Sequence, residues 1–103
     1  MKENYLQFKT SRLSRYNTFA YIDTNEFLAD QVFINRELPV KFLSHFGRND
    51  SKYIIVFCKV KKKDKEKFLQ ALKELSNKML LMGHTDYESF SSKLFTAFLN
   101  SRN

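Results

Sequence analysis

The chain has 103 residues, a formal net charge of +7 and an apolar share of 43%, and these values limit what it can be. The length suits one domain, so we expect residues 1–103 to fold as a single unit. The apolar share argues against wholesale disorder, and Cys58, the only cysteine, excludes an intramolecular disulfide. No apolar run is long enough to span a membrane and none resembles a signal peptide, so we expect a cytoplasmic protein.

Two strands and a helix are predicted first along the chain. Residues 4–9 alternate weakly and residues 16–22 are rich in β-forming side chains, which predicts an N-terminal hairpin. A helix is predicted to start at Asp23 and to end near Asn35, because Asp23 and Glu26 have the spacing of a capping box. Its buried side is expected to contain Phe27, Leu28, Val32 and Phe33, although the run from Val32 to Ile34 could instead be extended.

The next segment has two interpretations that the sequence leaves open. Pro39 suits the first turn of a short helix over residues 39–46, which Gly47 would end. Alternatively, residues 40–46 form a strand that pairs with the strand after it. Both interpretations lead into a connector around residue 50.

The most regular patterns follow. In residues 52–60 both alternating sets of side chains are apolar, which is typical of a central strand covered on both faces. Apolar residues then recur at spacings of four, three, four and three, which predicts a helix ending at Gly83. Its stripe consists of Phe68, Leu72, Leu75, Met79 and Met82. A capping box from Thr85 to Glu88 predicts a last helix, whose buried side would be Tyr87, Phe90, Leu94 and Phe98.

This order of elements predicts the α+β class. We expect a small antiparallel or mixed sheet of three to four strands with helices packed on it, ending in a C-terminal helix. In style the arrangement is similar to ferredoxin-like α+β folds. The likeness is partial, because such a fold closes with a strand and a helix is predicted here.

Positive charge is concentrated in one strand-to-helix unit. Between residues 52 and 78 there are nine lysines and three acids, a balance of +6, whereas residues 1–50 balance to +1. A local positive field favours an acidic partner, which could be nucleic acid, anionic lipid or an acidic protein face. The candidate binding residues are Lys59, Lys61, Lys62, Lys63, Lys65 and Lys67. The competing interpretation is a solvated face that only keeps the protein in solution.

Aromatic residues near two arginines add a second hypothesis. Arg12 and Arg15 stand beside Tyr16, Phe19 and Tyr21, and rings next to cations are what single-stranded nucleic acid binds. In so small a domain, however, those rings are expected in the core. The first hypothesis is therefore a non-enzymatic interaction or regulatory protein that contacts a protein or other acidic partner. The second is a nucleic-acid-binding accessory protein that uses the same lysines with Arg12 and Arg15.

Catalytic residues are poorly supported by the sequence. His84 and Asp86 place an imidazole and a carboxylate two residues apart, which makes an enzyme the third hypothesis. A metal site needs three or four ligands, and His45 is the only other histidine, so we expect no metal and no cofactor. Cys58 stands in an apolar strand and is expected to behave as a small hydrophobe.

The number of phenylalanines exceeds what one small sheet requires. Eleven are present, including Phe27, Phe33, Phe42 and Phe46. Two outcomes are open: complete burial within the monomer, or an apolar surface that forms a two-fold homodimer.

Overall fold

The computed structural model describes residues 4–47, residues 52–82 and the single position 96. The elements in chain order are β1 (Tyr5–Gln7), β2 (Tyr16–Thr24), α1 (Leu28–Asn35), β3 (Lys41–Phe46), β4 (Tyr53–Lys61), a 3-10 turn (Lys62–Asp64) and α2 (Lys65–Leu81). This confirms the predicted α+β class. Of the helix predicted from Thr85 onward, only position 96 lies in the described residues, and it is helical.

The four strands form one antiparallel sheet in the order β1-β2-β4-β3. The predicted N-terminal hairpin is β1 with β2, and a second hairpin is β3 with β4; α1 joins the two. The central ladder between β2 and β4 runs from the pair Tyr16–Lys61 to the pair Thr24–Tyr53. The central strands are therefore β2 and β4, and the edges are β1 and β3.

Both faces of the two central strands are buried. On the face that carries the helices, Phe68 of α2 packs against Phe19 and Tyr21 of β2, with ring centroids 4.7 and 6.1 Å apart. On the opposite face Ile22 and Ile55 are 0% and 2% exposed. The prediction that residues 52–60 form a central strand covered on both sides is confirmed.

The predicted start of α1 is wrong. Because Asp23 and Thr24 pair with β4, they stay extended, and the helix begins at Leu28. Phe27, expected on the buried side, instead takes a left-handed conformation with φ of 56° and is 39% exposed. Asp23 nevertheless caps α1 from a distance, since its Oδ2 accepts a hydrogen bond from the Ala29 amide at 3.2 Å. Among the described residues, the Glu26 carboxylate accepts no hydrogen bond that would complete the predicted capping box.

The open segment after α1 is a strand, and its helical interpretation is wrong. Residues Lys41 to Phe46 pair with β4, and the ladder shifts register between Phe42 and Ser44. The ladder hydrogen bonds with a neighbouring strand outweigh the local preference of Pro39 for a helix start. Pro39 lies just before the strand, where its missing amide costs no ladder bond.

The apolar stripe of α2 is confirmed over most of its length. Phe68, Leu72, Leu75 and Met79 are buried, at 0–1% exposure. Met82 is an exception, because the helix ends at Leu81 and the Met82 side chain is 52% exposed. Gly83, the predicted end of the helix, lies outside the described residues.

One ion pair joins the two helices at the surface. The Arg36 Nε lies 2.8 Å from a carboxylate oxygen of Glu74, and both side chains are about one-third exposed, at 35% and 33%. Partly exposed pairs typically contribute less than about 1 kcal/mol. We expect Glu74→Gln to lower the free energy of unfolding in urea by no more than that. Glu66→Gln, an exposed change on the same helix, is the control, and a loss above about 2 kcal/mol would show that the pair does more than a surface contact.

Candidate basic pocket

The site with the strongest charge lies where β2 begins and β4 ends. An open pocket of about 460 Å³ is lined by Arg15, Tyr16, Lys61, Lys62 and Lys63, and we call it the basic pocket. Tyr16 and Lys61 are directly paired in the central ladder. Two segments far apart in sequence thus meet because β2 and β4 pair along their full length.

Hydrogen bonds hold the loop before β2 against the end of β4. The Lys62 amide donates to the Arg15 carbonyl at 2.9 Å. The Lys62 Nζ donates to the carbonyls of Ser11 and Arg12, at 3.1 and 3.5 Å. These bonds place Arg12 and Arg15 next to the lysines, so the pocket is a consequence of the fold and not only of a charge run.

The cations of the basic pocket are not neutralised by the part of the chain that is described. Arg15, Lys61, Lys62 and Lys63 are exposed. Within residues 4–47 and 52–82 the only ion pairs join Glu74 to Arg36 and to Lys78. Asp64, which interrupts the lysine run, forms no ion pair there. Several unneutralised charges in one place raise the local concentration of anions.

A further pair of lysines lies beside the basic pocket. Lys59 stands opposite Thr18 on one side of β4 and opposite Lys41 on the other. Like charges directly opposite each other across an antiparallel pair are destabilising, so an anion between Lys41 and Lys59 would relieve their repulsion. Lys41 was not among the predicted binding residues, because the helical interpretation of residues 39–46 gave it no partner. The alternative interpretation, a strand over residues 40–46 that pairs with the next strand, was the signal that could have identified Lys41.

Three other predicted cations, Arg12, Lys65 and Lys67, do not line the basic pocket. Arg12 is exposed in the loop that Lys62 holds. Lys65 and Lys67 lie on α2 and do not line the basic pocket. The structure therefore brings Arg15 together with Lys61, Lys62 and Lys63, and leaves Lys65 and Lys67 apart.

Only one of the three candidate stacking rings is accessible. Phe19 and Tyr21 are buried in the core, as expected, at 0% and 1% exposure. Burial, with the nearby Asp23 and Cys58 adding to it, raises the pKa of the Tyr21 phenol above its usual range. Tyr16 is 37% exposed and forms part of the pocket wall. A ligand in the pocket can therefore contact Tyr16 but neither of the other rings.

Of the candidate reactive groups, only Cys58 and His45 lie in the described residues. Cys58 is buried, and burial raises the pKa of its thiol to about 12, so the thiol stays protonated at neutral pH and is not a nucleophile. His84 and Asp86 lie outside the described residues. Over residues 4–47 and 52–82, no group of three or more His, Cys, Asp or Glu side chains could hold a metal. His45 is exposed on β3, with its ring edge-on to Phe27 at 5.1 Å.

Comparison with known proteins found no matching family, no similar curated protein and no similar solved structure. In the part of the chain that the structure describes, no helix combines the length and the apolar character needed to cross a membrane. The basic pocket is therefore the feature of the described structure that best indicates a function.

Proposed function

We propose that this protein is a non-enzymatic interaction module that binds an acidic partner at the basic pocket. The supporting observation is the convergence of Arg15 with Lys61, Lys62 and Lys63, four exposed cations without an ion pair in the described chain. An acidic chain that binds there neutralises these groups and releases the counterions of both partners. The side chain of Cys58, buried and in no disulfide, fits a module that works in the reducing cytoplasm.

Nucleic acid is the second candidate partner, and Tyr16 is the observation that favours it. The exposed Tyr16 ring lines the basic pocket together with Arg15, just before β2, and Lys61, at the end of β4. A ring beside lysines can stack on an unpaired base while the lysines contact the phosphates. An acidic protein has no base to stack, so Tyr16 separates the two candidates.

The direct test is fluorescence-anisotropy binding at low and physiological salt. The probes are labelled poly-glutamate, single-stranded DNA and RNA, and duplex DNA. The triple variant Lys61→Gln, Lys62→Gln, Lys63→Gln is expected to weaken binding about 10- to 100-fold, from roughly 0.5–1 kcal/mol per contact. With duplex DNA, the slope of log affinity against log salt should fall by about 2 to 3, because fewer phosphates are neutralised.

A matched control removes the same charge from α2. Lys65→Gln, Lys67→Gln, Lys73→Gln leaves the basic pocket intact, so it should bind nearly as tightly as the parent chain. If both triple variants lose affinity equally, the net charge binds the probe and the pocket does not. If no probe binds at low salt, the lysines are a solvated face and the proposal is wrong.

The Tyr16→Ala variant then decides between the partners. Loss of one stacked base costs about 1–3 kcal/mol, so single-stranded probes should bind roughly 5- to 150-fold more weakly while poly-glutamate binding is unchanged. An equal loss for both probes would instead mean that Tyr16 only shapes the pocket. Tyr16 is partly exposed, so this variant is expected to fold.

We also propose that the protein forms a homodimer. Ten large apolar side chains are exposed in the described structure, and contiguous exposed apolar surface on a small domain commonly forms a subunit contact.

A further inference from the structure

The sheet has one long open edge. All six residues of β3 are exposed, and β3 has β4 on one side and no strand of the described sheet on the other. The opposite edge strand, β1, is only three residues long. Three of the six β3 residues are apolar, and an edge strand presents a row of backbone groups that can pair with another strand.

An apolar groove runs beside this edge, between β3 and α1. Two adjoining pockets, of about 230 and 340 Å³, share Asp30 and Phe42 as lining residues. The exposed apolar side chains along the groove are Phe42 at 48%, Leu43 at 47% and Ile34 at 69%. The register shift in β3 leaves Leu43 without a partner on β4, and its side chain lines the groove.

Phe27 contributes to the same groove from a strained backbone. Its φ of 56° is a conformation that glycine adopts freely and that costs a bulky residue about 1 kcal/mol or more. The conformation places the ring against His45 of β3, where it remains 39% exposed. Within one chain the ring therefore gains only part of the contact that would offset this strain.

We propose that β3 and the α1–β3 groove form the homodimer interface, with β3 pairing antiparallel to β3 of a second copy. This inference rests on the self-association proposed above and names the surface that carries it. The result is a continuous eight-stranded sheet, in which each copy covers the groove side chains of the other. The partner is a second copy because β3 can pair with itself without bringing like charges opposite each other. Lys41 is the only charged residue of β3, and an antiparallel copy places the two Lys41 side chains at opposite ends.

The area that such pairing would bury is sufficient for a weak dimer. Four partly exposed apolar side chains per copy, at roughly 100 Å² each, give about 800 Å² over the two copies before any backbone is counted. This is near the lower limit for a specific interface, so we expect a dimer that dissociates on dilution. Because each copy carries a net charge of +7, salt should strengthen the dimer, whereas it weakens acidic-partner binding.

The test is sedimentation equilibrium of the full chain over a wide concentration range, at low and moderate salt. The parent chain is expected to shift from one to two chains in mass as concentration rises. Leu43→Lys and Ile34→Lys each place a charge in the interface, so each should remain a single chain at concentrations where the parent is a dimer. The matched control is Leu13→Lys, since Leu13 is 94% exposed in the loop before β2. Circular dichroism confirms that each variant is folded.

Each outcome has one meaning. A parent chain that stays monomeric at every concentration overturns self-association and leaves the groove to a different protein. A parent dimer that survives both Leu43→Lys and Ile34→Lys keeps self-association but overturns this interface. Dimerisation should also slow amide hydrogen exchange in residues 41–46, and unchanged exchange there in a proven dimer would exclude strand pairing.

Discussion

Phe68→Ala is expected to cause the largest loss of stability of any single substitution in the described core. Phe68 is fully buried on α2, and its ring lies 4.7 Å from Phe19 and 5.6 Å from Phe33, centroid to centroid. It is thus the point where α2, β2 and α1 meet. Truncating a buried phenylalanine costs about 3–5 kcal/mol, from lost transfer free energy and the cavity that remains.

That loss is large compared with the total stability of the domain. Domains of this size have an unfolding free energy of roughly 5–15 kcal/mol, so the variant should be partly unfolded or close to it at 37 °C. The measurement is urea unfolding followed by circular dichroism, with thermal unfolding as a second readout. At about 4–8 °C per kcal/mol, the midpoint is expected to fall by more than roughly 12 °C.

Phe42→Ala is the matched control for this experiment. It removes the same atoms, but Phe42 is 48% exposed on an edge strand, and its ring centroid lies 6.2 Å from that of Phe33. We expect less than half the loss of Phe68→Ala when both are measured at low protein concentration. Equal losses would mean that the ring cluster around Phe68 is not the main source of stability.

The second large effect is a pH dependence that arises from Asp23. The Asp23 carboxylate is fully buried on the helix side of β2 and accepts amide hydrogen bonds from Thr24 at 2.7 Å and Ala29 at 3.2 Å. Burial raises its pKa from 3.8 to about 6, although the two amide bonds oppose the shift. The folded protein therefore holds the Asp23 proton up to a higher pH than the unfolded chain does.

The sign of the effect on stability follows directly. Between pH 4 and pH 6 the folded state binds more protons at Asp23 than the unfolded state, so the free energy of unfolding falls as pH rises. The stabilisation is fully present below about pH 4 and is lost above about pH 6. At 1.36 kcal/mol per pKa unit, its size is on the order of 2–3 kcal/mol.

Asp23→Asn removes this titration and keeps the shape of the side chain. The stability of the variant relative to the parent should rise by on the order of 2–3 kcal/mol between pH 4 and pH 7. Urea unfolding at several pH values measures this difference. Glu26→Gln is the control, because it makes the same carboxyl-to-amide change at an exposed position of the adjacent turn. Parallel profiles for Asp23→Asn and the parent would show that Asp23 is not a titrating group of the core.

The candidate site was predictable in part. The lysine run from Lys59 to Lys67 was evident from composition. Which of these lysines line the pocket and which lie on α2 was not evident. A 3-10 turn separates β4 from α2, so Lys61, Lys62 and Lys63 face the loop before β2 while Lys65 and Lys67 lie on the helix. Tyr16 was grouped with Phe19 and Tyr21 because all three are aromatic residues of one strand. Alternation along β2 puts Tyr16 on the other face, and its position opposite Lys61 at the end of the ladder follows only from the pairing of distant strands.

The sequence by itself determined the elements whose pattern is local. The stripe of α2 from Phe68 to Met79 and the two apolar faces of β4 were predicted correctly, since side-chain periodicity depends only on near neighbours. Tertiary pairing decided the rest. Pairing with β4 made residues 41–46 a strand. Pairing of β2 with β4 kept Asp23 and Thr24 extended, so that α1 begins only at Leu28. The same pairing brought Arg15 and Lys61 into one pocket. Hydrogen bonds between distant strands outweigh local preferences of a few tenths of a kcal/mol to about 1 kcal/mol per residue, and no local pattern shows which strands will meet.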